Sequence, residues 1–224
     1  MHGHTLTIDV ISDIMCPWCY IGKRRLEEAR TLVEVPLDVR WRPYQLDPSL
    51  PADGKDRALY LREKFGGEER AQAIYARISA AGRDSGITFA FDRIARSPNT
   101  LDCHRLVRWA RHDGKQDALV ERLFSAYFLE GIDLTRREGL IALAGEVGMD
   151  AQLVTELLNS DADVAETQAE IETAHRMGVT GVPCFIIDGK YALMGAETPE
   201  NLAAAIRNAA AAASSSREPA TSAM

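Results

Sequence analysis

The chain has 224 residues, of which 46% are hydrophobic and 26% charged, and its formal net charge is -7. This composition is typical of a globular protein that is large enough to bury a sizeable core. The acidic balance argues against nucleic acid as a partner, because its phosphates would be repelled. No stretch approaches the roughly 20 apolar residues that span a bilayer, and residues 1–13 lack the basic start and apolar run of a signal peptide. We therefore expect a cytoplasmic protein without a membrane partner.

The first part of the chain predicts a strand, a helix and a second strand. Apolar and polar side chains alternate over residues 6–11, which is typical of a half-buried strand. Pro17 suits the first position of a helix, which we expect to continue to about residue 33. A second alternating stretch follows at residues 37–41. Two strands joined through a helix need a crossover connection, so we expect them to pair in parallel.

The rest of the chain predicts a long helical block followed by a hairpin and a last helix. Helical patterns run over residues 52–177, and no strand pattern interrupts them. Asp188 and Gly189 separate two apolar runs, which is a strong hairpin signal. Residues 198–200 resemble a helix start. The Ala- and Ser-rich sequence after Ala209 has no apolar face to bury, so we expect it to fray.

These elements predict an α/β fold class with a large all-helical insertion between the second strand and the C-terminal hairpin. We expect residues 1–50 and 178–212 to form one discontinuous domain and residues 51–177 to form the insertion. Residues 213–224 are expected to be a disordered tail.

The motif Cys16-Pro17-Trp18-Cys19 carries the predicted chemistry, because it places Cys16 directly after a strand and at the start of a helix. Helix N-termini have unpaired N–H groups and partial positive charge, and both favour a thiolate, the species that attacks a disulfide. Cys19 follows nearly one turn later on the apolar stripe of the helix. We therefore expect Cys16 to be the exposed, attacking thiol and Cys19 the resolving thiol, with Pro17 and Trp18 shaping the substrate-binding surface.

A zinc site and a structural disulfide are the alternatives for this pair. Zinc needs about two further ligands, and the chain has no second C-x-x-C motif, which leaves only a site built from Cys16, Cys19, Cys103 and His104. Four cysteines in 224 residues are too sparse for a disulfide scaffold. In a reducing compartment a close pair is more often catalytic or metal-binding than structural. We therefore expect a redox pair without a metal or an organic cofactor.

A second motif, Gly181-Val182-Pro183, precedes the predicted hairpin. Proline cannot donate to a strand ladder, so Pro183 belongs at a strand start or edge. A cis bond between Val182 and Pro183 would let the backbone of Val182 pair with a bound peptide like an added strand. Val182 and Pro183 are therefore further predicted substrate-binding residues.

Other cysteine, histidine and basic residues have simpler interpretations. Cys103 is expected to pack as a small buried hydrophobe, and His104 to lie on a helix surface or at a cap. Cys184 is expected to be buried in a strand, with an accessory thiol near the active centre as the alternative. The basic run at residues 23–25 is most simply a solvated helix face; the alternative is that it favours an anionic partner or holds a thiolate.

The sequence resembles the DsbA-like thioredoxin superfamily, in its FrnE-type branch. The segments that carry the resemblance cover the C-x-x-C motif, the residues after the second strand, two helices of the insertion, the proline loop and the turn after the hairpin; they are residues 12–22, 41–48, 99–105, 123–131, 178–183 and 195–196. The resemblance spans about residues 5–207. It implies a thioredoxin-like fold, with Cys16 as the nucleophile, Cys19 as the resolving thiol and Pro183 as the cis-proline.

The resemblance implies dithiol–disulfide exchange with protein or peptide thiols, and glutathione is a further possible partner, for a monomer or a homodimer. The first alternative is a glutathione-dependent isomerase or transferase, because 2-hydroxychromene-2-carboxylate isomerases and kappa-class glutathione transferases share the insertion architecture. Those proteins typically have serine at the nucleophile position, so the intact pair of Cys16 and Cys19 favours redox exchange. A non-catalytic binding module, such as a chaperone, is the second alternative.

Overall fold

The computed structural model describes residues 5–215, which form one mixed sheet, a second two-stranded sheet and a set of helices. The strands are β1 (Leu6–Ser12), β2 (Leu37–Pro43), β3 (Lys55–Asp56), β4 (Arg96–Ser97), β5 (Cys184–Ile187) and β6 (Tyr191–Met194). The α-helices are α1 (Pro17–Thr31), α2 (Arg57–Phe65), α3 (Glu68–Asp84), α4 (Leu101–His112), α5 (Gln116–Ser125), α6 (Arg137–Glu146), α7 (Ala151–Leu158), α8 (Val164–Arg176) and α9 (Pro199–Ser215). A 3₁₀ turn at Phe91–Arg93 precedes β4, and a π-helical turn at Ala126–Glu130 follows α5. None of these helices is long and apolar enough to cross a membrane.

The main sheet has the strand order β2-β1-β5-β6. β1 pairs with β2 in parallel, with Leu6 opposite Leu37, and with β5 in the antiparallel sense, with Ile11 opposite Cys184. The predicted parallel pairing is therefore confirmed. β5 and β6 form the predicted hairpin, whose turn contains Asp188 and Gly189 at positive φ values of 52° and 66°.

The two faces of this sheet carry different apolar clusters, because successive side chains of a strand point to opposite faces. Ile8 and Val10 of β1 belong to the main core, which also contains buried residues of α1 and α9. Ile11 belongs to a second, smaller cluster that includes Ala174 of α8. Helices α1 and α9 thus cover one face of the sheet, and α8 covers the other. α1 begins just beyond the C-terminal end of β1, the second strand of the sheet.

The helical block between β2 and β5 contains one feature that the sequence did not predict. β3 and β4 form a short antiparallel pair, with Lys55 opposite Ser97 and Asp56 opposite Arg96. The expectation that no strand interrupts the block is therefore wrong. A two-residue strand is too short to show a period of alternation. The pair brings the start of α2, where Asp56 caps the helix by accepting a hydrogen bond from Leu59 N, against the loop before α4.

The last helix continues further than the sequence predicted. α9 extends to Ser215, and Ala209 and Ala213 are buried on the same stripe as Leu202 and Ile206. The expectations of fraying after Ala209 and of a disordered tail from residue 213 are therefore wrong up to residue 215. Alanine is the strongest helix former, and its small side chain still packs on an apolar face. Residues 216–224 of the predicted tail lie outside the described residues.

Candidate active site

The C-x-x-C motif lies where the sequence predicts it, at the junction of β1 and α1. Cys16 is the N-cap residue of α1, with extended backbone angles (φ -93°, ψ 112°), and Pro17 occupies the first turn. Cys16 N donates to Asp13 O at 3.0 Å, and Cys19 N donates to Cys16 O at 3.0 Å. The positive end of the α1 dipole therefore lies at Cys16.

The two thiols interact directly, and Cys19 is set up to remain protonated. Burial raises the pKa of the Cys19 thiol well above its ordinary value, and the hydrogen bond and negative charge of Cys16 raise it further. The Ser12 hydroxyl and a backbone group of Asp13 oppose this rise. Since a buried thiol resists ionisation while a neighbouring thiolate is present, this arrangement suits Cys16 as the attacking sulfur and Cys19 as the resolving one.

Cys16 is more enclosed than the sequence predicts. It is 4% exposed and Cys19 is 1% exposed, so the expectation of an exposed Cys16 is wrong. Cys16 packs into the main core, and its Sγ lies 3.6 Å from Val182 O. Pro17 is also buried, whereas Trp18 is 37% exposed and presents an apolar surface beside the motif. Enclosure excludes water, which strengthens the influence of nearby charges and dipoles on the thiol.

The loop before β5 lies against Cys16. The Val182–Pro183 peptide bond is cis. The Cys16 thiol donates to the Val182 carbonyl, and the Pro183 carbonyl accepts a hydrogen bond from Gly195 N at 2.7 Å. The structure therefore brings Val182 and Pro183 next to the motif of Cys16 and Cys19, although more than 160 positions separate the two segments in the sequence.

Gly22 of α1 allows this loop to approach the helix closely. A Cβ atom at this position would lie 2.9 Å from Pro183 Cγ and 3.2 Å from Phe185 Cζ. The first distance is well inside van der Waals contact, so a larger residue would displace the proline loop from α1.

We expect Gly22→Ala to lower the free energy of unfolding by about 1–3 kcal/mol, because overpacking a filled site costs about that much. Gly145→Ala in α6 is the matched control: no atom outside its own helix lies within 4 Å of an added Cβ, so the higher helix propensity of alanine should leave the protein equally or more stable. Urea denaturation of both variants measures the difference. Equal effects of the two substitutions would contradict the close approach of Pro183.

Cys184 lies on the opposite face of the sheet from Cys16 and Cys19. It belongs to the smaller cluster with Ile11 and Ala174, whereas its neighbour Phe185 contacts α1 at Gly22. Burial raises the pKa of the Cys184 thiol. The accessory-thiol alternative for Cys184 therefore finds no support, because alternation along β5 turns its side chain away from Cys16.

Cys103 of α4 is fully buried, as expected. Burial raises the pKa of its thiol strongly, and the negative charges of Asp102 and Asp13 add to the rise. In the unfolded chain this thiol ionises near its ordinary pKa, whereas in the folded protein it stays protonated. The stability contributed by protonated Cys103 is thus fully present below that ordinary pKa and is lost as the pH rises above it.

We expect the unfolding free energy of Cys103→Ala to fall less steeply with pH than that of the wild type. The difference in slope should approach 1.4 kcal/mol per pH unit, roughly the value for one thiol, above pH ~9. Denaturant titrations under reducing conditions at several pH values measure both slopes, and the other titrating groups are common to the two proteins. Identical slopes would contradict a protonated, buried Cys103.

A buried pair, Asp13 and His104, lies directly behind the motif, and no sequence pattern predicted it. Asp13 is completely buried, its Oδ2 accepts from Leu46 N at 2.7 Å, and its Oδ1 lies 3.4 Å from His104 Nε2. The expectation that His104 lies on the helix surface is wrong, since it is only 4% exposed. Its place three residues before Val107, on the buried face of the amphipathic helix α4, was the available signal.

The basic run after the motif is also less exposed than expected. Lys23 is 2% exposed, and its Nζ lies within ion-pair distance of Glu27, Asp117 and Glu121. Arg24 pairs with Glu121 as well. The interpretation of residues 23–25 as a solvated face is therefore wrong for Lys23, which joins α1 to α5 of the helical block.

Within residues 5–215, no group of three or more His, Cys, Asp or Glu side chains is arranged to hold a metal ion. The alternative zinc site of Cys16, Cys19, Cys103 and His104 is therefore not formed. His104 instead faces the carboxylate of Asp13.

The family model for the DSBA-like thioredoxin domain matches residues 7–207, which is almost the whole described part of the chain. The chain belongs to the DsbA-like thioredoxin family. The predicted α/β fold class, a thioredoxin-like fold with helices inserted between the second strand and the hairpin, is thereby confirmed.

Solved structures agree with this assignment. The probable DsbA oxidoreductase from Streptomyces coelicolor has 30% sequence identity and a TM-score of 0.86, and the match covers 97% of this chain and 94% of that one. The cytosolic disulfide reductase DsbM from Pseudomonas aeruginosa, solved with GSH, has 19% identity and a TM-score of 0.63, over 94% and 98% of the two chains. A 2-hydroxychromene-2-carboxylate isomerase has 18% identity and a TM-score of 0.71, over 95% and 100%. The last two likenesses show the fold alone.

Proposed function

We propose that this DsbA-like protein is a dithiol–disulfide oxidoreductase that exchanges a Cys16–Cys19 disulfide or dithiol with the thiols of proteins or peptides. The observation that carries the proposal is the contact of the two thiols at the N-terminus of α1, together with burial that holds the Cys19 pKa high. This asymmetry separates an attacking sulfur from a resolving one.

In the reducing direction, the Cys16 thiolate attacks one sulfur of a substrate disulfide. A Cys16–substrate bond forms, the substrate S–S bond breaks, and one substrate thiolate leaves. Cys19 then loses its proton and attacks Cys16 Sγ, which releases the second substrate thiolate and leaves a Cys16–Cys19 disulfide. Two electrons pass from the protein to the substrate, and the oxidising direction reverses each step.

The surroundings of Cys16 support an extended peptide as substrate. The Val182 carbonyl lies beside the Cys16 sulfur, and an extended chain can pair with such a loop in the manner of an added strand. The exposed Trp18 offers an apolar contact on the other side of the motif. Val182, Pro183, Pro17 and Trp18 therefore form the proposed substrate-binding surface. A cytoplasmic location belongs to the same proposal, with glutathione as a further thiol partner.

Reduction of insulin disulfides by the protein in the presence of dithiothreitol tests the proposal. We expect the wild type to accelerate insulin reduction and the double variant Cys16→Ser/Cys19→Ser to lose the acceleration.

A glutathione-conjugation substrate assayed in parallel should show no turnover. Conjugation without disulfide exchange would favour the isomerase or transferase alternative. Suppression of aggregation by the double variant, without redox activity in the wild type, would favour a binding module.

A further inference from the structure

Asp13 lies three residues before Cys16, and its carboxyl side chain is completely buried. Aspartate is almost never fully buried unless hydrogen bonds or opposite charges compensate for the lost water. Neither step of the proposed exchange reaction uses this group. The contacts of its two oxygens therefore indicate what the buried carboxylate does at the site.

The backbone of residues 13–16 forms a turn that leads directly into the motif. Cys16 N donates to Asp13 O at 3.0 Å, and this bond closes the turn. The Asp13 side chain braces it, because Oδ1 accepts from Met15 N at 3.4 Å. This is the arrangement of an Asx turn, in which a side-chain oxygen holds the amide two residues further on. Asp13 thus accepts from the backbone amides of both Met15 and Cys16.

The same carboxylate anchors this turn to two other segments. Its Oδ2 accepts from Leu46 N at 2.7 Å, in the loop that follows β2. A neighbouring backbone bond strengthens this connection, since Tyr44 N donates to Ser12 O at 3.0 Å. On another side, Oδ1 lies 3.4 Å from His104 Nε2 of α4. The carboxylate therefore joins the turn before the motif to the loop after β2 and to the helical insertion.

Cys16 is held on both sides of its backbone as a result. Its N–H is bonded within the turn, and its carbonyl accepts from Cys19 N at 3.0 Å. Its sulfur lies 3.6 Å from Val182 O. With the backbone held, rotation about the side-chain bond is the main freedom left to the sulfur. This rotation keeps the sulfur within reach of both Cys19 and the loop before β5.

We propose that Asp13 is a positioning residue for the redox pair. This inference rests on the proposed function and concerns its second step, in which Cys19 attacks Cys16 Sγ. A Cys16–Cys19 bond forms, the Cys16–substrate bond breaks, and the leaving substrate sulfur keeps the electron pair of that bond and takes up the Cys19 proton. Asp13 takes no part in the electron transfer. The turn that it braces keeps Cys16 aligned with Cys19, and such alignment makes an intramolecular attack fast.

Two measurements on Asp13→Glu test this inference, because glutamate keeps the charge and both acceptor oxygens but moves them by one methylene group. The equilibrium of the Cys16–Cys19 disulfide with glutathione gives the effective concentration of the two thiols for each other. The rate at which iodoacetamide alkylates Cys16, located by peptide mass analysis, depends on its ionisation but not on its alignment with Cys19. We expect the effective concentration to fall by about tenfold and the alkylation rate to stay within about twofold of the wild type, since alignment alone is disturbed.

Asp150→Glu is the matched control. Asp150 also accepts from the amide two residues further on, Gln152 N, at 2.9 Å, but it lies at the exposed start of α7. We expect this substitution to leave both measurements unchanged. Circular dichroism and urea denaturation give the folded fraction of each variant, so that all values are compared per folded molecule.

Hydrogen exchange on the wild type tests the inference even if Asp13→Glu fails to fold. Met15, Cys16 and Leu46 all donate their amides to Asp13. A turn that positions Cys16 must persist through the reaction, so these amides should exchange equally slowly in the dithiol and disulfide forms. Loss of their protection in either form, while the amides of β1 stay protected, would overturn the inference.

A wild-type effective concentration in folded Asp13→Glu would also overturn the inference and leave the proposed function intact. An equally large change in the alkylation rate would overturn it too, because Asp13 would then act on the ionisation of Cys16. An equal effect of Asp150→Glu would have the same consequence. A wild type that forms no Cys16–Cys19 disulfide in glutathione buffers would overturn the proposed function together with the inference.

Discussion

Replacing Cys16 by serine should lower the rate of disulfide exchange by a factor on the order of 10³ or more, because a residue that carries the reaction cannot be replaced by a group that does not ionise. Cys16 lies at the N-terminus of α1 with its sulfur against Val182 O, whereas Cys19 is its proposed resolving partner and the other two described thiols are buried elsewhere. Rates of insulin or peptide disulfide reduction measure the loss.

Cys19→Ser should separate the two steps of the same reaction. Cys16 can still attack, but the serine cannot release the product, so the mixed disulfide should accumulate and add the mass of one substrate thiol to the protein. Cys184→Ser is the control and should behave as the wild type, because its side chain faces the other side of the sheet. Full activity of Cys16→Ser, or a mixed disulfide at Cys184, would contradict the assignment.

Asp13→Ala should lower the free energy of unfolding by about 3–5 kcal/mol, since removing one member of a buried polar pair leaves its partners unsatisfied. The lost carboxylate accepts from Leu46 N at 2.7 Å and from Met15 N at 3.4 Å, and it faces His104. Asp13 has no exposed surface, so bulk solvent does not reach the donors that the substitution would leave unpaired. Chemical denaturation measures the effect.

Asp150→Ala provides a matched control for this prediction. Asp150 also accepts from two backbone N–H groups, those of Gln152 and Leu153, but it caps α7 at the surface. Water can replace the lost acceptor there, so we expect a cost of about 1 kcal/mol. A loss for Asp13→Ala no larger than that of Asp150→Ala would show that the buried pair adds little to stability.

Local patterns predicted most of the secondary structure near the site. The alternation in β1 and β2, Pro17 at the start of α1 and the Asp188-Gly189 turn are signals carried by a few neighbouring residues. The crossover rule then determined the parallel pairing of β1 and β2. These features were predictable because each depends on the conformation of a few neighbouring residues.

Features that depend on distant packing were not predictable. Lys23 is buried because the acidic groups of α5 surround it, and the sequence separates the two elements by more than 90 positions. His104 is buried because α4 packs behind the motif against Asp13. Arg57 is buried because aromatic rings of α3 and of the 3₁₀ turn pack around its guanidinium group. In each case the side chain is of a polar or charged type that is usually found at the surface, but contacts with elements distant in the sequence bury it.

The proposed function requires Cys16 and Cys19 to form one reversible redox couple. Equilibration of the protein in glutathione buffers of graded ratio, followed by alkylation and peptide mass analysis, measures whether they do. We predict that these two thiols lose and regain alkylation together, as a single two-electron transition, while Cys103 and Cys184 keep a constant state under native conditions. Independent titration of Cys16 and Cys19, or a stable disulfide that includes Cys184, would contradict the account.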